Sequence, residues 1–230
     1  ATKWKAVDPN TWYFFLRDDV KFSNGQKMTS EDVVFSILRA KQPTSDFKEY
    51  ISTISGVKAI DDYTVQIKTS KPNPILLNQL SNIFIMSKKW STDNFVVAPQ
   101  NWDAGQETFS ATNALGTGPF KITLREPNTK TVFKKNGKWW GNVEHNITEI
   151  QLLPIKNAAT RVAALLSGEI DLVTDAPVQD LNRISSSGGH KVESTPQMRT
   201  IFLGMDQKAD KLRTGNTGDN PFKKKEVRQA

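Results

Sequence analysis

Few residue types in this chain could perform covalent chemistry, and their spacing argues against it. There is no cysteine, hence no thiol nucleophile, no disulfide framework and no thiolate metal site. The two histidines, His145 and His190, stand alone, with no acid or second histidine at a ligand spacing such as HExxH. No GxSxG nucleophile elbow occurs. Glu169 and Asp171 could be read as paired carboxylates for acid–base work. No second acidic partner can be assigned, however, and turn and surface roles explain both. The stretch GTGPF at 116–120 raises the question of a phosphate cradle, which needs a glycine-rich loop ahead of a helix N-terminus. Here the loop leads into a strand and no GK[ST] follows, so a structural turn is expected. The stretch NGKWWG at 136–141 could present an aromatic platform for sugars or bases, or pack as a turn. No catalytic residue, metal ligand or cofactor is therefore expected.

The elements that would position such residues begin with 11–41. Trp12, Phe14 and Leu16 alternate with Tyr13, Phe15 and Arg17, the period of a strand, and aromatics on both faces place it inside a sheet. Asn24-Gly25 turns the chain. Thr29, three residues before Asp32, forms a variant of the capping box that starts a helix. Val34, Ile37, Leu38 and Lys41 recur at helical spacing and define its apolar face. Residues 43–54 are a polar connection carrying Phe47 and Tyr50. Then 57–60 and 63–68 read as a hairpin across Asp61-Asp62. A short helix is expected over 75–80 and a short strand over 83–85, and 87–113 reads as irregular. The core expected from these periods is Trp12, Phe14, Leu16, Val34, Leu38, Val65 and Ile67.

Composition breaks at 115–120, where a tight turn opens a second run of elements. A hairpin spans 120–125 and 129–134 across Pro127-Asn128, and a strand follows at 149–155. Asn157 caps a helix that buries Val162, Leu165 and Leu166, and Gly168 ends it. Strands are expected at 170–173, 191–193 and 198–204, a helix at 178–184, a polar loop at 207–220 and a helix from 225. The 230 residues suit one large domain or two small ones, since domains run roughly 100–200 residues. A hydrophobic share of 37%, with six Trp and twelve Phe, suffices for a core. The net charge of +7 brings nucleic acid and other polyanions into consideration, but the lysines are spread along the chain and read as a solvated surface. No apolar run approaches the ~20 residues of a membrane span, and no signal peptide is visible. Starting beside a core strand and stopping as a helix begins, the chain reads as an excised piece.

Several of these stretches, in this order, resemble one family. LRDDVKFSNG followed by TSEDVVFS, then GTGPF, NGKWWG, AATRVAALLSGEIDLV and NPFKKKEVRQA, closely resemble the bacterial extracellular solute-binding proteins of family 5. These are the dipeptide-, oligopeptide- and nickel-binding receptors of ABC importers. The resemblance implies an α/β fold of the type II periplasmic-binding-protein kind, present in part. Residues 1–113 would be an accessory subdomain, and 114–230 part of the first large lobe, with a mixed sheet. It implies a periplasmic or extracellular monomer that captures a small solute, an oligopeptide, between two lobes and delivers it to permease subunits. No chemistry, nucleic-acid partner or cofactor is implied. In several members an aromatic before the hairpin lines the cleft. Phe47 matches that position by its spacing to Val57-Lys58-Ala59, with Tyr50 the alternative, and packing within the subdomain remains open for both. The nickel-binding branch carries a basic residue near 83–85, where this chain has Asn82-Ile83-Phe84. Outside the resemblance, the alternatives are a basic nucleic-acid or polyanion-binding domain and, with least support, a glycan hydrolase.

Overall fold

The computed structural model describes residues 1–105, 107–196, 200–212 and 218–229. Packing divides them into two compact units, 1–156 and 157–230. The subdomain boundary expected at 113/114 lies between the first sheet of the larger unit and its second.

The first sheet has the order β1-β2-β4-β3, with every pairing antiparallel. Its strands are β1 (Lys3–Asp8), β2 (Thr11–Phe15), β3 (Ile54–Asp61) and β4 (Thr64–Thr69). The aromatic strand β2 is interior, as its two-sided apolar pattern requires. β1 lies outside the sequence expectation, because its alternation of lysines with Trp4 and Ala6 leaves every residue exposed. Asn24-Gly25 turns as expected: Gly25 has φ +94° and Gln26 N–H donates to Asn24 Oδ1 at 2.9 Å. The turn sits beside a small buried cluster of Val20, Phe22 and Met28.

Helix α1 (Ser30–Ala40) packs on β3 and β4 through Val33, Ile37 and Ala40, which join Ile51, Ile54, Val65, Ile67 and Leu76 in the main core. Trp12, Phe14, Leu16 and Val34 pack around this core, partly buried. Leu38 corrects the expectation, since it is 51% exposed. The reason is a polar anchor on the other side of the helix. Asp32 and Ser36 are both buried, and a hydrophobicity pattern reads them as the solvent face. Thr29 N–H donates to Asp32 Oδ2 at 2.9 Å, which realises the carboxylate half of the capping box. Asp32 Oδ1 accepts from Lys88 N–H at 2.8 Å, and Ser36 Oγ accepts from Met86 N–H at 2.8 Å. These bonds turn the helix so that Val33 and Ile37 point inward, Val34 lies at the margin of the core and Leu38 points out.

Past the hairpin, α2 (Leu76–Leu80) forms close to where it is expected. The segment 83–85 is not a strand. Helix α3 (Lys88–Asp93) arises inside the stretch that reads as irregular, started by Ser87, whose hydroxyl accepts from Trp90 N–H at 3.2 Å. An open apolar cleft of about 410 Å³ lies along the inner side of the sheet, lined by Trp4, Phe14, Val33, Leu77 and Ile83 among others. The second sheet, β5-β6-β7, consists of β5 (Phe120–Glu126), β6 (Lys130–Lys135) and β7 (Glu149–Leu152), again antiparallel throughout. Asn128, with φ +60°, turns the β5–β6 hairpin.

In the smaller unit, Asn157 Oδ1 caps α4 (Ala158–Leu166) by accepting from Thr160 N–H at 2.9 Å, and Gly168 leaves it with φ +77°. Val162 and Leu165 are buried with Ile184 of α5 (Leu181–Ser186). The helix α6 (Lys225–Gln229) follows an Asn220 turn. The segments 170–173, 191–193 and 200–204 are not strands, and residues 198 and 199 of the last expected strand lie outside the described residues. Leu172, Ile201, Phe202 and Leu203 are each at least 77% exposed. An apolar run becomes a strand only when another strand takes up its N–H and C=O groups, and among the described residues no strand does so for these. A mixed sheet needs a parallel partner reached by a long crossover, which these segments would have to supply.

Two outcomes follow for α1. Ile37→Ala should lower the unfolding free energy by about 2–5 kcal/mol, the range for a buried large-to-small change, while Leu38→Ala should stay within about 0.5 kcal/mol. Asp32→Ala should cost about 1–3 kcal/mol, because two partly buried backbone N–H groups lose their carboxylate acceptor. Urea denaturation followed by circular dichroism measures all three.

Candidate ligand-facing site

The polar connection after α1 is built to hold aromatic rings outward. The helix ends at Ala40, and successive reverse turns carry the chain from Arg39 to Ser45. Ser45 is buried, and its Oγ accepts from Phe47 N–H at 3.2 Å. A 3₁₀ turn, Lys48–Ile51, then places Ile51 at 0% exposure in the core. Side chains three apart superpose along a 3₁₀ turn. Phe47 and Tyr50 are therefore neighbours, with ring centroids 6.3 Å apart and planes inclined by 35°. Both are 42% exposed. The sequence offers them as alternatives for one role; the fold makes them a pair. They rise from a segment fixed at each end by a buried residue.

Beside this segment is a polar depression of about 460 Å³, lined by residues 43–46 and Lys48 on one side and by Asn101, Trp102 and Asp103 on the other. The C-terminal end of α1 brings the two sides together. Arg39 donates from Nε to Val96 C=O and from Nη2 to Ala98 C=O, both at 3.1 Å, and Gln42 and Thr44 reach Val97 and Pro99. Burial lowers the pKa of the Arg39 guanidinium from its ordinary value. Trp102 is 67% exposed. Sequence reasoning passes over Trp102 because it belongs to no period, and the bonds that place it join residues more than 50 positions apart.

The remaining candidates are accounted for structurally. Trp140 Nε1–H donates to Thr117 C=O at 3.1 Å, and Arg17 lies 4.6 Å from the centre of its ring. Lys138 Nζ reaches Asn24 C=O at 3.2 Å. The NGKWWG stretch thus fastens the Asn24-Gly25 turn and the GTGP loop to each other, as a packing role requires. A Cβ on Gly141 would meet the Trp139 ring at 2.6 Å, which is why glycine stands there. Ser23 N–H donates to Gly116 C=O, and Asn136 Nδ2 donates to Gly118 C=O at 2.9 Å. The GTGP loop therefore presents carbonyls to protein donors, and the chain continues into β5. Glu169 and Asp171 are exposed beyond the end of α4. His145 stacks on Phe120 with centroids 5.3 Å apart, and His190 Nε2 lies 3.1 Å from Leu165 C=O. Among the described residues no group of three or more His, Asp or Glu could hold a metal ion.

The capped helix on its four-stranded antiparallel sheet, followed by a second antiparallel sheet, matches part of the fold of solved solute-binding proteins. OppA of Burkholderia pseudomallei matches with a TM-score of 0.69 at 26% identity, over 82% of this chain and 39% of that protein. NikZ of Campylobacter jejuni, solved with Ni(L-His), matches with a TM-score of 0.68 at 25% identity, over 82% and 36%. The periplasmic murein peptide-binding protein MppA of Escherichia coli K12 is 26% identical over 225 residues, covering 90% of this chain and 40% of its own length. The chain belongs to the bacterial extracellular solute-binding proteins, family 5, whose middle-region model matches residues 1–230. It spans about two-fifths of the length of the curated relatives it matches.

If the aromatic pair is there to meet a ligand, its removal should hardly disturb folding. Phe47→Ala and Tyr50→Ala should each shift stability by less than about 1 kcal/mol, against about 2–5 kcal/mol for Ile51→Ala in the same segment. A loss from either aromatic as large as that from Ile51 would make the pair a packing element.

Proposed function

We propose that this chain is part of the substrate-binding component of an ABC importer, with residues 1–113 as the accessory subdomain and 114–230 as part of the first large lobe. The solute is a short peptide, held between this part and a second lobe, with Phe47 and Tyr50 facing it. The carrying observation is the pair of half-exposed rings on a turn anchored by Ser45 and Ile51. Such rings supply apolar contact at little cost in ordering, because the backbone beneath them is already fixed. MppA and OppA, among its relatives, are named for peptides, which supports that class over the nickel chelate bound by NikZ. Asn82 and Phe84 stand where the nickel-binding branch carries a basic residue, and this points the same way.

The mechanism is binding alone. Lobes that rotate about a hinge interconvert between open and closed states, and a solute touching both stabilises the closed one. The closed form would then be recognised by permease subunits at the membrane, the receptor acting as a periplasmic or extracellular monomer. No bond in the solute is made or broken.

Calorimetry with a mixed pool of short peptides tests this. The longer protein that contains this chain should bind a component of the pool in the micromolar range, and the Phe47→Ala/Tyr50→Ala variant should bind it about tenfold or more weakly. The 230-residue chain alone should show no such binding, because a pocket normally buries about 70–90% of its ligand. Equal affinity in the aromatic variant would remove Phe47 and Tyr50 from the site. Micromolar binding by the chain alone would overturn the two-lobe reading.

A further inference from the structure

The inner face of the first sheet carries the core, and its outer face has a different composition. Val65 and Ile67 are buried beneath α1, with Trp12 and Phe14 packed beside them. The alternate residues therefore point the other way. The strand registers arrange them in rows across all four strands. One row runs Lys5–Tyr13–Gln66–Lys58, the next Lys3–Phe15–Thr64–Asp61, and a third Asp8–Thr11–Lys68–Gly56. Gln66 Nε2–H donates to the Tyr13 hydroxyl, which confirms that these side chains share a face. Lys3, Lys5, Lys58 and Lys68 are all exposed, and Phe15 is 36% exposed in their midst. Among the described residues no helix or second sheet packs extensively on this side.

The lysines are not neutralised locally. Among the described residues none of the four forms an ion pair. The face holds only two carboxylates, Asp8 and Asp61, both at its margins. Lys68 helps to hold the Asp8 carboxyl below its usual range, behind that group's hydrogen bonds to Asn10 and Thr11. Asp61 is held down first by the N–H of Tyr63. Both aspartates therefore remain charged at neutral pH, and the lysines still outnumber them two to one.

We propose that this outer face, with Lys3, Lys5, Lys58 and Lys68 around Tyr13 and Phe15, docks on an anionic phospholipid surface. Three observations select that occupant. The cations are all lysines, point charges without the planar fork by which arginine grips individual phosphates, so they suit a diffuse field of headgroups. The lysines spread over β1, β3 and β4 as an open surface rather than a groove that would track a strand, and because an aromatic sheet face can also stack single-stranded bases, the oligonucleotide arm of the test separates the two. Tyrosine and phenylalanine among lysines match the headgroup level of a bilayer, where amphipathic rings concentrate and each nearby lysine adds to the attraction. Among the described residues no helix is long and apolar enough to cross a membrane, so the contact is peripheral. The proposal stands on this face alone and is independent of the solute reading.

Co-sedimentation of the 230-residue chain with lipid vesicles tests it. Vesicles of phosphatidylcholine containing roughly one-third phosphatidylglycerol should retain the chain, and vesicles of phosphatidylcholine alone should not. A lysine near an anionic surface is worth about fivefold in partitioning. The variant K3Q/K5Q/K58Q/K68Q should therefore lose about a hundredfold or more, and K5Q and K58Q singly about fivefold each, should the quadruple variant fold poorly by circular dichroism. The variant K208Q/K211Q/K224Q/K225Q has the same net charge and should stay within about threefold of the parent. Equal loss in both quadruple variants would reduce the effect to net charge and overturn the assignment. So would failure of the parent to bind anionic vesicles. Tighter retention of a single-stranded oligonucleotide than of vesicles, lost with the same four lysines, would overturn it in favour of a nucleic-acid face.

Discussion

One buried carboxylate holds the larger unit in order. Asp32 accepts from Thr29 N–H through one oxygen and from Lys88 N–H through the other, so a single side chain closes the start of α1 and fixes the entry to α3. Without it the Thr29 and Lys88 N–H groups would lose their acceptor in a partly buried setting, which is costly. Ser36, one turn further on, takes the N–H of Met86 and completes the attachment. Everything after this depends on the rotation it gives α1. Ile37 reaches the sheet, Arg39 reaches Val96 and Ala98, and the segment carrying Trp102 comes to lie against residues 43–48. The candidate site is positioned from the far end of the helix.

This dependence explains what was legible in the sequence. Signals complete within a few residues are read correctly: the alternation in β2, the Thr29–Asp32 box, the Asn24-Gly25 turn, the Asn157 cap and the Gly168 exit. Each acts through bonds between near neighbours. The face of α1 was legible only in part: Ile37 and Val34 pack where their period puts them, but Leu38 does not, because Asp32 and Ser36 occupy the buried stripe for the sake of partners 50 or more residues away. Likewise Ser87 starts α3 with no apolar period to announce it. The apolar runs at 83–85, 170–173 and 200–204 fail in the opposite sense, since a pattern can specify a strand's side chains but cannot supply its partner. At the candidate site, Phe47 and Tyr50 were individually visible, but their pairing is a property of the 3₁₀ turn.

The scaffold and the ligand are separable in this family. OppA and NikZ match the chain almost equally well, yet NikZ was solved with a nickel–histidine complex and MppA is named for murein peptides. A fold of this kind supplies rigid walls, and identity of the solute resides in the few side chains those walls present. The two sheets, the polar anchors and the NGKWWG fastening are parts of the scaffold, and the proposed function assigns the rings of Phe47 and Tyr50 to what it presents.

The construction of the 43–51 segment has an evolutionary consequence. Its stability is vested in Ser45 and Ile51, which face inward, while the outward positions 47 and 50 contribute little to holding it. Under the proposed function, exchange at those two positions alters what is bound while leaving the inward anchors of the segment in place. A receptor built in that way would drift from one diet to another by single substitutions, without compensating changes elsewhere in the chain.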